Sequence, residues 1–148
     1  MRRALIAVLS VALLGGGCVS QTVSRQETAP GPDAVAPSLV VERFLQAVNA
    51  RDVTTLGRLF GTRDGPIAGR DDPATVEQRM FTLASLLEHD DYTILGDQIV
   101  PGRGNEAVNI MTTLVKRGRS VAVPFTLVRS TAGQWLVERI DTGELTRR

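Results

Sequence analysis

The sequence predicts an α+β domain in which three helices are followed by roughly four antiparallel strands. Two observations predict it. Between residues 38 and 87 apolar residues recur at the helical period, and from about residue 92 to 140 they alternate with polar ones. Helices and strands segregated along the chain in this way define the α+β class. A chain of 148 residues with 43% hydrophobic and 22% charged residues has the length and composition of one globular domain.

The globular part starts at Pro37. Ser38 is the expected N-cap of the first helix, and Val41, Phe44, Leu45 and Val48 fall on one helical stripe. Asn49-Ala50-Arg51-Asp52 breaks that pattern. Asp52 can cap a second short helix in which Val53, Leu56, Leu59 and Phe60 face one way, with Gly61 as its C′ stop. Thr62 to Asp72 is rich in Gly, Asp and Arg and reads as a loop. The third helix has the clearest start in the chain, with Asp72 as cap and Pro73 at the first helical position. Val76, Met80, Leu83 and Leu87 form its buried stripe, and Glu77, Gln78 and Arg79 are exposed.

After His89 the period changes. Tyr92, Ile94, Leu95, Ile99 and Val100 suggest a strand or two around Gly96, and Pro101 to Asn105 is a turn. Val108, Ile110, Thr112 and Leu114 alternate with Asn109, Met111 and Thr113 as a strand with one buried face. Lys116 to Arg119 turns the chain into a strand carrying Val121, Val123, Phe125 and Leu127 on one side. Pro124 cannot donate to a ladder, so this strand is expected at an edge or with a bulge at that position. A turn at Thr131 to Gln134 leads into the last strand, where Trp135, Val137 and Arg139 alternate with Leu136, Glu138 and Ile140.

Charge and cysteine content narrow the function classes. Lys+Arg number 17 against 16 Asp+Glu, so no strong field toward nucleic acid exists. One Cys and one His exclude an internal disulfide and a Cys/His structural zinc site; no metal or cofactor is expected. The N-terminus carries an address. Met1-Arg2-Arg3 is a short basic region, and Ala4 to Leu14 is an apolar run of 11 residues, too short to span a bilayer, which needs about 20. Gly15-Gly16-Gly17 then leads into Cys18. This is the pattern of a cleaved signal peptide and resembles the lipobox of bacterial lipoproteins, with Leu14 four places before the cysteine where the lipobox has it three before. An ordinary secretory signal with an incidental cysteine is the alternative.

The resemblance implies a signal peptide over 1–17 and lipidation of Cys18, with diacylglycerol and N-acyl chains sufficient for stable anchoring. Cleavage removes Arg2 and Arg3, leaving 15 basic against 16 acidic residues. Val19 rather than Asp follows the cysteine, which implies an outer-membrane protein facing the periplasm. Residues 18–36, rich in Ser, Thr, Pro, Gly and Gln, read as a lipidated Cys followed by a flexible tether. The domain itself is expected over 37–148.

Three stretches of that domain resemble the NTF2-like (cystatin-like, SnoaL-like) superfamily. They are Val40 to Asp52 with its Ala-x-Asn-x-x-Asp ending, the short helix Val53 to Phe60, and the closing strand Gly133-Gln134-Trp135-Leu136-Val137-Glu138-Arg139-Ile140, similar to a G-x-W-x-V strand. The resemblance implies three N-terminal helices packed on a curved antiparallel sheet of about four strands, forming a cone with one open mouth. The small strand the family carries between its second and third helices is not evident in Thr62–Asp72.

Such cones host isomerases, cyclases, dehydratases and plain binding modules, so the site must decide. The one local cluster able to do acid–base work is His89-Asp90-Asp91-Tyr92, with His89, Asp91 and Tyr92 as candidates. The bland alternative is a helix-terminal His favoured by the dipole, followed by turn residues. Consecutive residues rarely converge on one ion, so a metal role is not expected. Tyr92, Met111, Phe125 and Trp135, together with Met80, are candidates to line a ligand pocket or, equally, to fill the core. Lys116, Arg117 and Arg119 form a basic hairpin tip that suits either solvent or lipid phosphates.

Because the inward strand positions are mainly aliphatic, the sequence favours a non-catalytic envelope lipoprotein that binds a small apolar ligand or an envelope partner protein. An NTF2-like enzyme and a structural accessory of an outer-membrane assembly are the alternatives. The address makes a direct prediction: full-length protein expressed in a bacterial host incorporates labelled palmitate, and Cys18→Ser does not. Equal labelling of both forms contradicts lipidation at this cysteine.

Overall fold

The computed structural model describes residues 35–147, so the expected signal peptide, Cys18 and most of the expected tether lie outside the described residues. The described chain is α+β. Its helical part comprises α1 (Pro37–Ala50), α2 (Val53–Leu59) and α3 (Pro73–Leu87). A meander of β3 (Asp91–Ile99), β4 (Ala107–Lys116), β5 (Arg119–Arg129) and β6 (Trp135–Ile140) follows, antiparallel throughout and in that spatial order. Two elements are not expected from the sequence. Thr62–Asp72 is not plain loop: β1 (Gly61–Thr62) and β2 (Gly65–Pro66) pair as a small hairpin, and a 3-10 turn follows at Ile67–Gly69. A fourth helix, α4 (Gly143–Thr146), closes the described chain; four residues are too few to show a helical period.

Each helix start has a local cause. α1 begins without a side-chain cap: Ala36, not Ser38, is its N-cap, and Pro37 at the first position supplies the pre-set φ. Asp52 caps α2, accepting from Thr55 N at 3.0 Å and Thr55 Oγ1 at 2.6 Å. Asp72 caps α3 through Thr75 N and Thr75 Oγ1, both at 3.0 Å, with Pro73 next. The Thr55 hydroxyl, then its N–H, hold the Asp52 carboxyl below its usual range; the Thr75 N–H, then its hydroxyl, do so for Asp72. Both caps therefore act at neutral pH and are lost as pH falls through those lowered values.

Gly61 does not end α2 as a left-handed C′ residue. Phe60 turns the chain extended, with φ −99° and ψ 132°, and Gly61 already belongs to β1. Its requirement is space. A Cβ there would lie 2.4 Å from the Gly65 carbonyl oxygen and 2.9 Å from Leu136 Cδ1, because the hairpin folds tightly over β6.

The sheet has distinct faces. Ile110, Leu114, Val123, Phe125 and Leu127 point inward to the helices and are fully buried or nearly so. Phe44 of α1 joins helices to sheet: its ring meets Phe125 edge-on at 6.1 Å and Phe60 at 6.4 Å. β5 is a central strand, not an edge, despite Pro124. The Pro124 carbonyl accepts from Asp141 N at 3.0 Å, just past the last β5–β6 pair, Phe125–Ile140. The nitrogen of the same residue faces that same side, so the missing N–H removes no bond to β4. The ladder does shift nearby, between Thr126 and Leu127, where β6 carries the extra residue Glu138. A second shift lies in β3, where Leu95 bulges and Gly96 takes φ 143°.

One inward group has no partner. The Thr112 hydroxyl on β4 is fully buried and makes no hydrogen bond among the described residues. Leaving such a group unpaired costs about 1–3 kcal/mol. Thr112→Val keeps the shape and removes the orphan oxygen, so chemical denaturation is expected to show a gain on the order of 1 kcal/mol; a loss of similar size contradicts the assignment.

Candidate functional site

α3 packs mainly against α1 and α2 rather than against the strands. Its buried residues Val76, Met80, Ala84 and Leu87 face that packing, and its neighbouring face looks across toward the end of β6. Between them runs an open groove of about 520 Å³, within the range of about 300–1,000 Å³ usual for small-molecule sites. Phe60, Met80, Leu83, Leu86 and Ile140 supply its apolar surface; Thr75, Gln78, Arg79, Thr82 and Thr142 supply the polar groups.

The chemistry of this lining is narrow. Among the described residues no carboxylate or imidazole lines the groove, and Arg79 is the one charged residue that does. The Thr75 hydroxyl donates to the Asp72 cap, and the Thr82 hydroxyl donates to the Gln78 carbonyl at 2.9 Å. The surface is thus a greasy slot with a guanidinium and an amide at its margin. Among the described lining residues, none is a carboxylate or imidazole of the kind that serves as a general acid or base.

The residues singled out from sequence lie elsewhere. His89 is buried, its Nδ1 lying 2.9 Å from the Leu87 carbonyl oxygen. A carbonyl only accepts, so Nδ1 carries the proton. The His89 ring meets the Tyr92 ring edge-on at 5.4 Å. Asp91 is exposed and accepts from Tyr92 N at 2.8 Å. Asp90 accepts from Arg117 N at 2.8 Å, tying the helix-to-strand connection to the hairpin tip. Asn49 clamps the same connection: its Nδ2 donates to the His89 carbonyl at 3.0 Å and its Oδ1 accepts from His89 N at 3.3 Å.

The pocket candidates do not converge either. Tyr92 packs on His89. Phe125 is buried against Phe44 in the core. Met111 pairs with Gly96 and Pro124 on the outer face, because it alternates with the inward Ile110 and Thr112. Trp135 lines a separate shallow depression with Val35, Val40 and Leu59. At the hairpin tip, Lys116 Nζ donates to the Leu86 carbonyl at 2.9 Å, capping the last turn of α3. Arg117 and Arg119 are exposed.

Of the groove residues, Met80 alone stood among the sequence candidates for a pocket. A signal for the rest existed in α3, which carries Met80, Phe81, Leu83, Leu86 and Leu87, more large apolar residues than one buried stripe accommodates. Phe81 is half exposed on the far side, under the Arg51 guanidinium at 5.8 Å. Leu83 and Leu86 are half-buried and belong to the groove. Among the described residues no three metal-binding side chains converge, and no helix is long and apolar enough to cross a membrane. Compared with models of protein families and with curated protein sequences, the chain matches none.

Proposed function

We propose that this chain is a non-catalytic, lipid-anchored protein of the bacterial cell envelope whose NTF2-like domain binds a small apolar ligand in the groove between α3 and β6. The single observation that carries the binding role is the groove's lining, in which Phe60, Met80, Leu83, Leu86 and Ile140 are apolar and, among the described residues, no carboxylate or imidazole takes part. The order of three helices and then a four-stranded antiparallel meander, with Phe44 pressed on the inner sheet face, supports the cone assignment. The Asn49 and Asp52 side chains give a physical role to the Ala-x-Asn-x-x-Asp ending: one clamps the start of the sheet, the other caps α2. Anchoring through Cys18 at the outer membrane, facing the periplasm, places such a module where apolar molecules partition.

A protein partner is the second reading, favoured by the outer half of β3. That strand is at the edge of the sheet, and its Leu95 and Ile99 are 64% and 78% exposed.

The test is binding of the uncharged fluorescent probe N-phenyl-1-naphthylamine to the full chain. Saturable fluorescence gain is expected in wild type, loss of at least about tenfold in affinity in Leu86→Asp, which puts a charge on the apolar wall, and unchanged binding in folded His89→Ala. Absence of saturable binding, or equal affinity in Leu86→Asp, contradicts the groove as the site; loss of binding in folded His89→Ala returns the His89 cluster to consideration.

A further inference from the structure

Resting on the groove reading above, we infer that the occupant is an apolar monocarboxylate, a molecule with one hydrocarbon chain and one anionic head, held at its head by Arg79. The polar groups of the α3 wall that remain uncommitted point to it. The Thr75 and Thr82 hydroxyls are spent on their own helix, one on the Asp72 cap and the other on the Gln78 carbonyl. Neither has a hydrogen left to donate to an anionic head. What is left on the α3 wall is the Gln78 amide, a donor and acceptor, and the Arg79 guanidinium.

Arg79 is only lightly engaged. Its single hydrogen bond among the described residues is Nη1 to Asp71 Oδ2 at 3.4 Å, long for a charged pair, and its side chain is 52% exposed. A guanidinium has five donors in a planar fork, and one long contact leaves the fork open to a carboxylate. Among the described residues no acidic side chain lines the groove itself, and the one carboxylate beside the proposed head site is Asp71, which competes with the ligand for the same guanidinium. One turn along α3, Leu83 and then Leu86 continue the wall, and Phe60 and Ile140 face it, so an aliphatic chain running from Arg79 lies on apolar surface throughout. Arg79 and Gln78 adjoin on the same helix, one suited to the carboxylate charge and the other to its second oxygen. A dicarboxylate, charged at both ends, would leave one charge on the apolar wall, unpaired.

The experiment displaces bound N-phenyl-1-naphthylamine from the full chain with decanoate or with decan-1-ol at neutral pH, on wild type, Arg79→Gln and Asp71→Asn. Decanoate is expected to be about tenfold more potent than the alcohol on wild type. Arg79→Gln brings the two within about twofold, and Asp71→Asn, which releases the guanidinium, makes decanoate more potent and leaves the alcohol unchanged. Both substituted positions are on the surface or near it, and retained probe binding verifies each fold. Equal potency of acid and alcohol on wild type, or an acid preference that survives Arg79→Gln, overturns the inference while leaving the groove as an apolar site. Failure of the probe itself to bind wild type strikes at the groove reading instead.

Discussion

Phe44 stands where the helical and strand halves of this molecule must meet. From the middle of α1 its ring lies edge-on to Phe125 of β5 and tilted to Phe60 at the end of α2, and it is fully buried. Three elements distant in sequence thereby share one contact. Val41, Leu45 and Val48, on the same stripe, seal α1 against the inner sheet face and the other helices. Removing such an aromatic from a packed core typically costs about 3–5 kcal/mol, a large part of the stability of a domain this size. Once α1 occupies the inner face, α3 has no place on the strands and rests on α1 and α2 instead. The groove is the space this arrangement leaves between α3 and β6.

That space is held open at both ends of its helical wall. The Asp72 cap and Pro73 fix the first turn of α3. At the other end, Lys116 Nζ reaches the Ser85 and Leu86 carbonyls at 3.4 and 2.9 Å, and Asn49 grips the His89 backbone. The His89–Tyr92 pair packs the same corner. The one imidazole of the chain therefore serves to join α3 to β3, and the residues whose chemistry looked most reactive in the sequence turn out to brace the wall of a site they do not line.

Most of the architecture was legible because it rests on local rules. The two Asp caps, Pro73, the apolar stripes of α1 and α3 and the alternation of β4 and β5 all act within a few residues and all appear where their patterns lie. Ser38 is a local misreading, since α1 starts uncapped at Ala36 and Pro37, but most of the other errors lie in contacts between distant residues. Gly61 reads as a helix stop, but its small size answers to Gly65 and Leu136 across the hairpin. Pro124 reads as the mark of an edge or a bulge, but β5 is central, the ladder shift falls at Thr126/Leu127, and β6 ends just short of Pro124. Met111 and Phe125 both read as pocket residues, yet strand parity sends them to opposite faces. The groove was illegible for the same reason: Phe60, Arg79, Leu86 and Ile140 come from three elements, and only the packing of α3 away from the strands brings them together.

If an apolar molecule enters between α3 and β6 and nowhere else, backbone amide spectra of the isotopically labelled full chain, titrated with N-phenyl-1-naphthylamine, will shift only at residues 75–86, Phe60 and residues 140–142, with β3, the outer sheet face and the Arg117–Arg119 tip unmoved. Shifts centred on Leu95–Ile99 or on Met111 and Pro124, with α3 silent, would contradict it.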